Sequence, residues 1–114
     1  MASFYALNPI FRMEIETISS KIDDFIKNLE PVVQARVLQS LDLLSDYNYK
    51  LGLPYSKSLR DGLFELRITG KKQIRIIYCF HKGKIYLLHA LVKKQNKIPK
   101  RDLDLAKKRL ILLI

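Results

Sequence analysis

The chain has 114 residues, 48% of them apolar, and a formal net charge of +10. That length fits one domain, read here as residues 1–114. The apolar share excludes a disordered or low-complexity chain. The charge is lopsided. Residues 1–49 carry four basic and seven acidic side chains, and residues 50–114 carry 17 and four, so balances of −3 and +13 sum to +10. A basic half on a slightly acidic body points to a polyanionic partner. The single cysteine, Cys79, cannot form an internal disulfide and reads as a buried thiol in a reducing compartment. No apolar run approaches the ~20 residues that span a bilayer. Residues 1–11 lack the basic and apolar regions of a secretory leader. The expectation is a cytoplasmic protein with no membrane partner.

In chain order, Phe11 to Glu16 is expected to form a short strand. Ser20 reads as an N-cap, with Asp23 three positions on. Ile22, Phe25, Ile26 and Leu29 follow at helical spacing. Pro31 suits the first turn of a second helix. Its apolar stripe is Val33, Val37, Leu41 and Leu44, with Leu38 beside it and Gln34, Gln39 and Asp42 facing outward. Two amphipathic helices joined this tightly make a hairpin that must bury one side. Asn48 to Pro54 reads as a loop.

From Leu63 the period changes to two. Phe64, Leu66 and Ile68 point one way, Glu65 and Arg67 the other. Gly70-Lys71-Lys72 is a turn. Gln73 to Phe80 is the next strand, with Arg75 opposite in sense to Ile74, Ile76, Tyr78 and Phe80. Lys82-Gly83 is a second tight turn. Ile85 to Val92 is apolar enough to be covered on both faces. Pro99 opens a last helix with the stripe Leu103, Ala106, Leu110 and Leu113. The fold class is therefore α+β, in the order β-α-α-β-β-β-α. It is expected to be a helical hairpin packed on one face of a small antiparallel sheet, whose other face is open and basic.

Several chemistries are excluded. There is no GxxxxGK[ST] loop, no GxGxxG and no GxSxG. Two histidines and one cysteine lack zinc-ligand spacing, so no metal or other cofactor is expected. The helix pair lies in the acidic half, which disfavours helix-turn-helix DNA binding.

The arginines carry the positive argument. With a three-residue loop at Gly70–Lys72, Arg67 faces Arg75 on one side of the sheet. Opposed like charges cost a few tenths to ~1 kcal/mol. A bridging phosphate relieves that repulsion, because guanidinium forks match its oxygens. The competing reading is that Glu65 or Asp61 neutralises the pair in a surface network. Lys93 and Lys94 end the last strand near the same edge, and Lys57 and Arg60 arrive from the loop before Leu63. Lys71 and Lys72 in the turn, and Lys97 after the last strand, are further candidate contacts to a polyanion. Glu65 is a carboxylate beside the phosphate position. His89 reads as a hydrogen-bonded core residue and His81 as an exposed turn residue. Tyr55 and Tyr78 are able to donate to a phosphate or stack on a base, although parity puts Tyr78 in the core.

LRDGLFELRI, then IRIIYCF, then LLHALVKKQNKIPKRDLDLAKKR resembles the HigB-like, phage-derived branch of the RelE/ParE toxin superfamily, over residues 53–109. The resemblance implies a RelE-like sheet with helices on one face. It also implies the toxin of a type II toxin–antitoxin pair, neutralised by a cognate helix-turn-helix antitoxin. The implied activity is a ribosome-dependent, metal-independent mRNA interferase, an endoribonuclease whose partners are the ribosome and mRNA. In it the ribose 2′-hydroxyl attacks the adjacent phosphate. By position, Arg67 and Arg75 match the basic strand residues that hold that phosphate, and Lys93-Lys94 the basic position after the last strand. The catalytic set is thus Arg67, Arg75, Lys94 and Glu65. Leu63 stands where the RelE pattern has a further lysine. The tail after Arg109, LILLI, lacks the tyrosine or histidine of some relatives. The general acid and base are therefore unassigned. A ParE-like inhibitor of DNA gyrase on the same fold and a non-catalytic phage-derived RNA-binding protein remain alternatives, and the oligomeric state is open.

Overall fold

A computed structural model describes residues 12–114 of the chain. The leader reading of residues 1–11, and Phe11 at the start of the first expected strand, lie outside the described residues. The elements are β1 (Ile15–Thr17), α1 (Ser20–Lys27), α2 (Pro31–Tyr47), a 3₁₀ turn (Asn48–Lys50), β2 (Ser56–Arg60), β3 (Leu63–Ile68), β4 (Ile74–His81), β5 (Lys84–Val92) and α3 (Lys100–Leu113).

The two helices form as their periodicity predicts. Ser19, rather than Ser20, caps α1: its hydroxyl accepts from the Lys21 backbone N–H at 3.2 Å. Thr17 Oγ1 donates to Asp23 Oδ2 at 2.8 Å and ties β1 to that first turn. Pro31 opens α2, where its missing N–H costs nothing. Gln34, expected to face outward, instead donates to the Ile26 carbonyl at 2.9 Å and clips the helices together. Leu38 is exposed.

The sheet departs from expectation in three ways. It has five strands in the order β1-β5-β4-β3-β2, and it is mixed, because β1 runs parallel to β5 while the other pairs are antiparallel. Ser56–Arg60, expected to be loop, is a strand paired with β3. The hairpin turn between them is Asp61-Gly62, with φ of +54° and +83°. Both residues adopt the left-handed values that a two-residue turn of matching twist requires. Lys82-Gly83 makes the other tight turn, at +49° and +78°, as expected.

The third departure concerns the face expected to be open. One face carries Leu66, Ile68, Ile74, Ile76, Tyr78, Ile85 and Leu87, packed against Ile22, Val33, Val37 and Leu44 of the helical hairpin. The other carries Leu63, Ile77, Cys79 and Leu88, packed against Ala106, Leu103, Leu110 and Leu113 of α3. The helix stripe is the one the sequence predicts, and it needs this surface to bury itself. So α3 covers part of the second face.

A β-bulge in β5 seats α3. Ile77 pairs with His89 and Tyr78 with Leu87, which leaves Leu88 as the extra residue. Arg109 Nη1 donates to the Leu88 carbonyl at 2.6 Å, and His89 Nε2 lies 2.6 Å from Asp102 Oδ1. Both of these α3 residues therefore grip β5 at its irregularity. Among the described residues no helix is long and apolar enough to cross a membrane.

Ala106 is fully buried under α3. Ala106→Leu should overpack this layer and cost about 1–3 kcal/mol in urea unfolding, whereas Ile111→Ala, at an exposed position, should change stability little. Cys79 is also buried, and burial pushes its thiol pKa from 9.0 up to about 11. The folded thiol therefore keeps its proton where the unfolded one loses it. This contribution to stability is intact below pH 9 and is lost as pH rises through about 11. An aromatic disulfide reagent at pH 8 should leave the native thiol unmodified and titrate one thiol after denaturation.

Candidate nucleic-acid interface

Strand parity puts the charged residues of β3 and β4 on the face away from the helical hairpin. Arg67 lies directly opposite Arg75, in the register expected from the sequence. The row continues in both directions. Leu91 lies opposite Arg75, and the Arg67 backbone N–H donates to the Tyr55 carbonyl at 2.8 Å, one residue before β2 begins. In the next row Lys57 faces Glu65, and Glu65 faces Ile77.

The repulsion between the two guanidiniums is met from within the face. Glu65 Oε1 is 3.4 Å from Arg67 Nε, and Oε2 is 3.6 Å from Arg75 Nε. The competing sequence reading, in which Glu65 offsets the pair, therefore describes part of the arrangement. One carboxylate serves two arginines and leaves one positive charge unmatched.

The two arginines differ in access. The side chain of Arg67 is 29% exposed and that of Arg75 only 5%. Arg75 Nη1 donates to the Ile74 carbonyl at 2.9 Å, and Nη2 donates to Gln73 Oε1 at 3.3 Å. Its buried Nε has no hydrogen-bond partner and relies on the ion pair with Glu65. Burial pulls the Arg75 pKa below the usual arginine range; Glu65 opposes that shift and Arg67 adds to it.

The remaining candidates fall into groups. Lys57 is exposed on β2, a strand and not the expected loop. Lys93 donates its backbone N–H to the Gln73 carbonyl at 2.7 Å, which extends the β4–β5 ladder by one pair. Two positions beyond Leu91, it shares the face of Arg75. Lys94 and Lys97 are exposed in the link to α3. Arg60 is exposed at the β2–β3 turn with φ +78°. Lys71 turns the other way, to Glu30 Oε1 at 3.2 Å beside the start of α2, and Lys72 is exposed in the same turn. The structure thus gathers Glu65, Arg67, Arg75, Lys57 and Lys93 on one face.

His89 is half-buried and engaged by Asp102, in keeping with a hydrogen-bonded interior residue. His81, expected to be exposed, is half-buried with its ring 6.1 Å from that of Tyr86. Tyr78 is buried and shares a short hydrogen bond with Ser56 Oγ. Sequence reasoning missed the support that Gln73 gives Arg75; its place two positions earlier on the same face was the available signal. Among the described residues no group of three or more His, Cys, Asp or Glu side chains is placed to hold a metal ion.

These features define a small α+β protein with a mixed five-stranded sheet and an arginine pair set into one of its faces. Residues 24–111 match the family model described as phage derived protein Gp49-like (DUF891), and the chain belongs to that family. No curated protein matches the chain closely enough to count as a relative.

Glu65→Ala should leave the buried Arg75 charge without its ion-pair partner and cost about 3–5 kcal/mol in chemical unfolding. Arg67→Ala, at a partly solvated position, should cost at most about 1 kcal/mol. Replacing Glu65 and Arg75 together by Leu and Met should recover most of the loss. If Glu65→Ala unfolds like the unmodified protein, the pair is not what holds Arg75 in place.

Proposed function

We propose that this protein is the toxin of a type II toxin–antitoxin pair, a RelE/HigB-like endonuclease that cuts mRNA on the ribosome without a metal ion. The observation that carries this reading is the Arg67–Arg75 pair, with Glu65 contacting both and Arg67 partly exposed to solvent. The resemblance of residues 53–109 to the HigB-like branch and the phage-derived family description support it. So does the concentration of positive charge in the same half of the chain.

In this reading Arg67 contacts the scissile phosphate directly. Arg75 lies beneath and occupies the second oxygen of Glu65, so that the carboxylate does not cancel Arg67 alone. Lys57 and Lys93 extend the positive field over the same face, and Lys94 follows. The 2′-oxygen attacks phosphorus, the bond to the 5′-oxygen breaks, and the products are a 2′,3′-cyclic phosphate and a 5′-hydroxyl. The proton lost by the 2′-hydroxyl is balanced by the one gained at the leaving oxygen. Cationic groups stabilise the charge that builds on the phosphorane and lower the pKa of the attacking hydroxyl. The partner that restrains the activity is a helix-turn-helix antitoxin.

Induced alone, the protein should arrest growth, and transcripts should acquire new 5′-hydroxyl ends. In a translation extract, cleavage should persist in excess EDTA and require ribosomes. Arg67→Ala should lower the cleavage rate by about 10²–10³ and relieve the arrest. Full toxicity of Arg67→Ala refutes the site. Supercoiling inhibition with transcripts left intact would transfer the protein to the gyrase-inhibitor reading.

A further inference from the structure

Three tyrosines fall within the short stretch from residue 47 to residue 55, and all are exposed: Tyr47 at 42%, Tyr49 at 65% and Tyr55 at 50%. Rings of this size usually bury most of their surface or meet a partner. Tyr49 has a local reason to be here. Its ring lies 4.4 Å from that of Phe80 and anchors the segment to the sheet. Tyr47 and Tyr55 remain, and both line a surface cavity of about 400 Å³ together with Leu43, Lys50, Leu51 and Leu53. That size is within the ~300–1,000 Å³ of small-ligand clefts.

The walls of this cavity are held by backbone bonds. The Leu51 N–H donates to the Asn48 carbonyl at 3.2 Å, and the N–H groups of Tyr55 and Ser56 donate to the Gly52 carbonyl at 3.0 and 3.1 Å. The Asn48 side chain accepts from the Tyr49 N–H at 2.8 Å. A segment bonded in this way presents its rings in a preset arrangement.

Its position is the telling point. Tyr55 accepts from the Arg67 N–H at 2.8 Å, so the backbone that carries this wall of the cavity runs one strand spacing, about 5 Å, from the backbone of Arg67. Lys50 stands on the cavity and Lys57 two residues beyond Tyr55. Cations next to flat apolar rings suit a single-stranded nucleic acid, whose phosphates meet the charges while its bases stack. We propose that the Tyr47–Tyr55 cavity takes one unpaired nucleobase of the RNA strand whose phosphate rests on Arg67. Tyr55 supplies the stacking surface, Tyr47 the opposing wall and Lys50 the neighbouring phosphate contact. This assignment rests on the reading of Arg67 as a phosphate contact.

The test is fluorescence anisotropy of a short, labelled 2′-O-methyl RNA oligonucleotide, uncleavable because its 2′-oxygens are capped, titrated with the intact protein at several salt concentrations. Tyr55→Ala should weaken binding about tenfold, Tyr55→Phe by less than about twofold, and Tyr47→Ala in the same direction as Tyr55→Ala. One abasic position in the strand should reproduce the loss for the unmodified protein and add little to Tyr55→Ala. Arg67→Ala should weaken binding and reduce the salt slope by about 0.7, while Tyr55→Ala leaves the slope unchanged. Unchanged affinity of both folded tyrosine variants, with Arg67→Ala still weakened, overturns the base pocket and leaves the phosphate reading standing. The same result is expected if the cavity instead takes an apolar peptide side chain. Absence of RNA binding by the unmodified protein overturns the pocket, and the transcript-end assay then judges the phosphate reading separately.

Discussion

A one-residue slip of β3 against β4 would turn Glu65 and Arg67 into the layer packed against α1 and α2 and drive Leu66 and Ile68 out of it. A slip of β4 would do the same to Arg75, with Ile74 and Ile76 driven out. Side chains alternate with period two, so no intermediate register exists. The apolar residues of β3 and β4 thereby fix the charged ones. Four core side chains with 3% exposure or less hold the arginine pair opposed, although the pairing itself is repulsive. Burial on one face enforces an electrostatic arrangement on the other.

That second face is divided. One part is hydrophobic and covered by α3, which Arg109 and Asp102 fasten to the β5 bulge. The other part holds the charged rows. Leu91, in the row of the arginines, is itself buried. Arg75 therefore lies in surroundings where a charge needs company, and Glu65 supplies it. The same carboxylate tempers Arg67 without removing it from solvent. A buried ion pair beside a partly exposed guanidinium is a different object from two surface arginines, because only one of the two reaches solvent.

Much of this was legible in the residues. The helical hairpin followed from apolar spacing and Pro31, and the Arg67–Arg75 pairing from the Gly70–Lys72 turn. The stripe of α3 was readable too, but not its destination, since a helix pattern names the buried side and not the surface that buries it. β2 was missed because Lys-Ser-Leu-Arg is polar for a strand, and the Asp61-Gly62 turn that announces it sits beside residues taken as loop. The parallel pairing of β1 was out of reach, because its partner is set by where the hairpin returns the chain and not by any local pattern. The burial of Arg75 was hidden for a related reason: it depends on Gln73, Glu65 and the apolar part of the face acting together.

The pairing of Ile15 with Ile85 spans a separation of 70 residues. During synthesis at roughly 5–20 residues per second, β1 would wait several seconds for β5 to be made. The helical hairpin and the β2–β4 meander can assemble in that interval, but the sheet has no closing strand at one side and α3 has no bulge to grip. Contacts this distant in sequence also slow the final step of folding. Until the last third of the polypeptide is released, the charged rows of β2–β4 therefore lack both their neighbour β5 and the helix that covers the rest of their face.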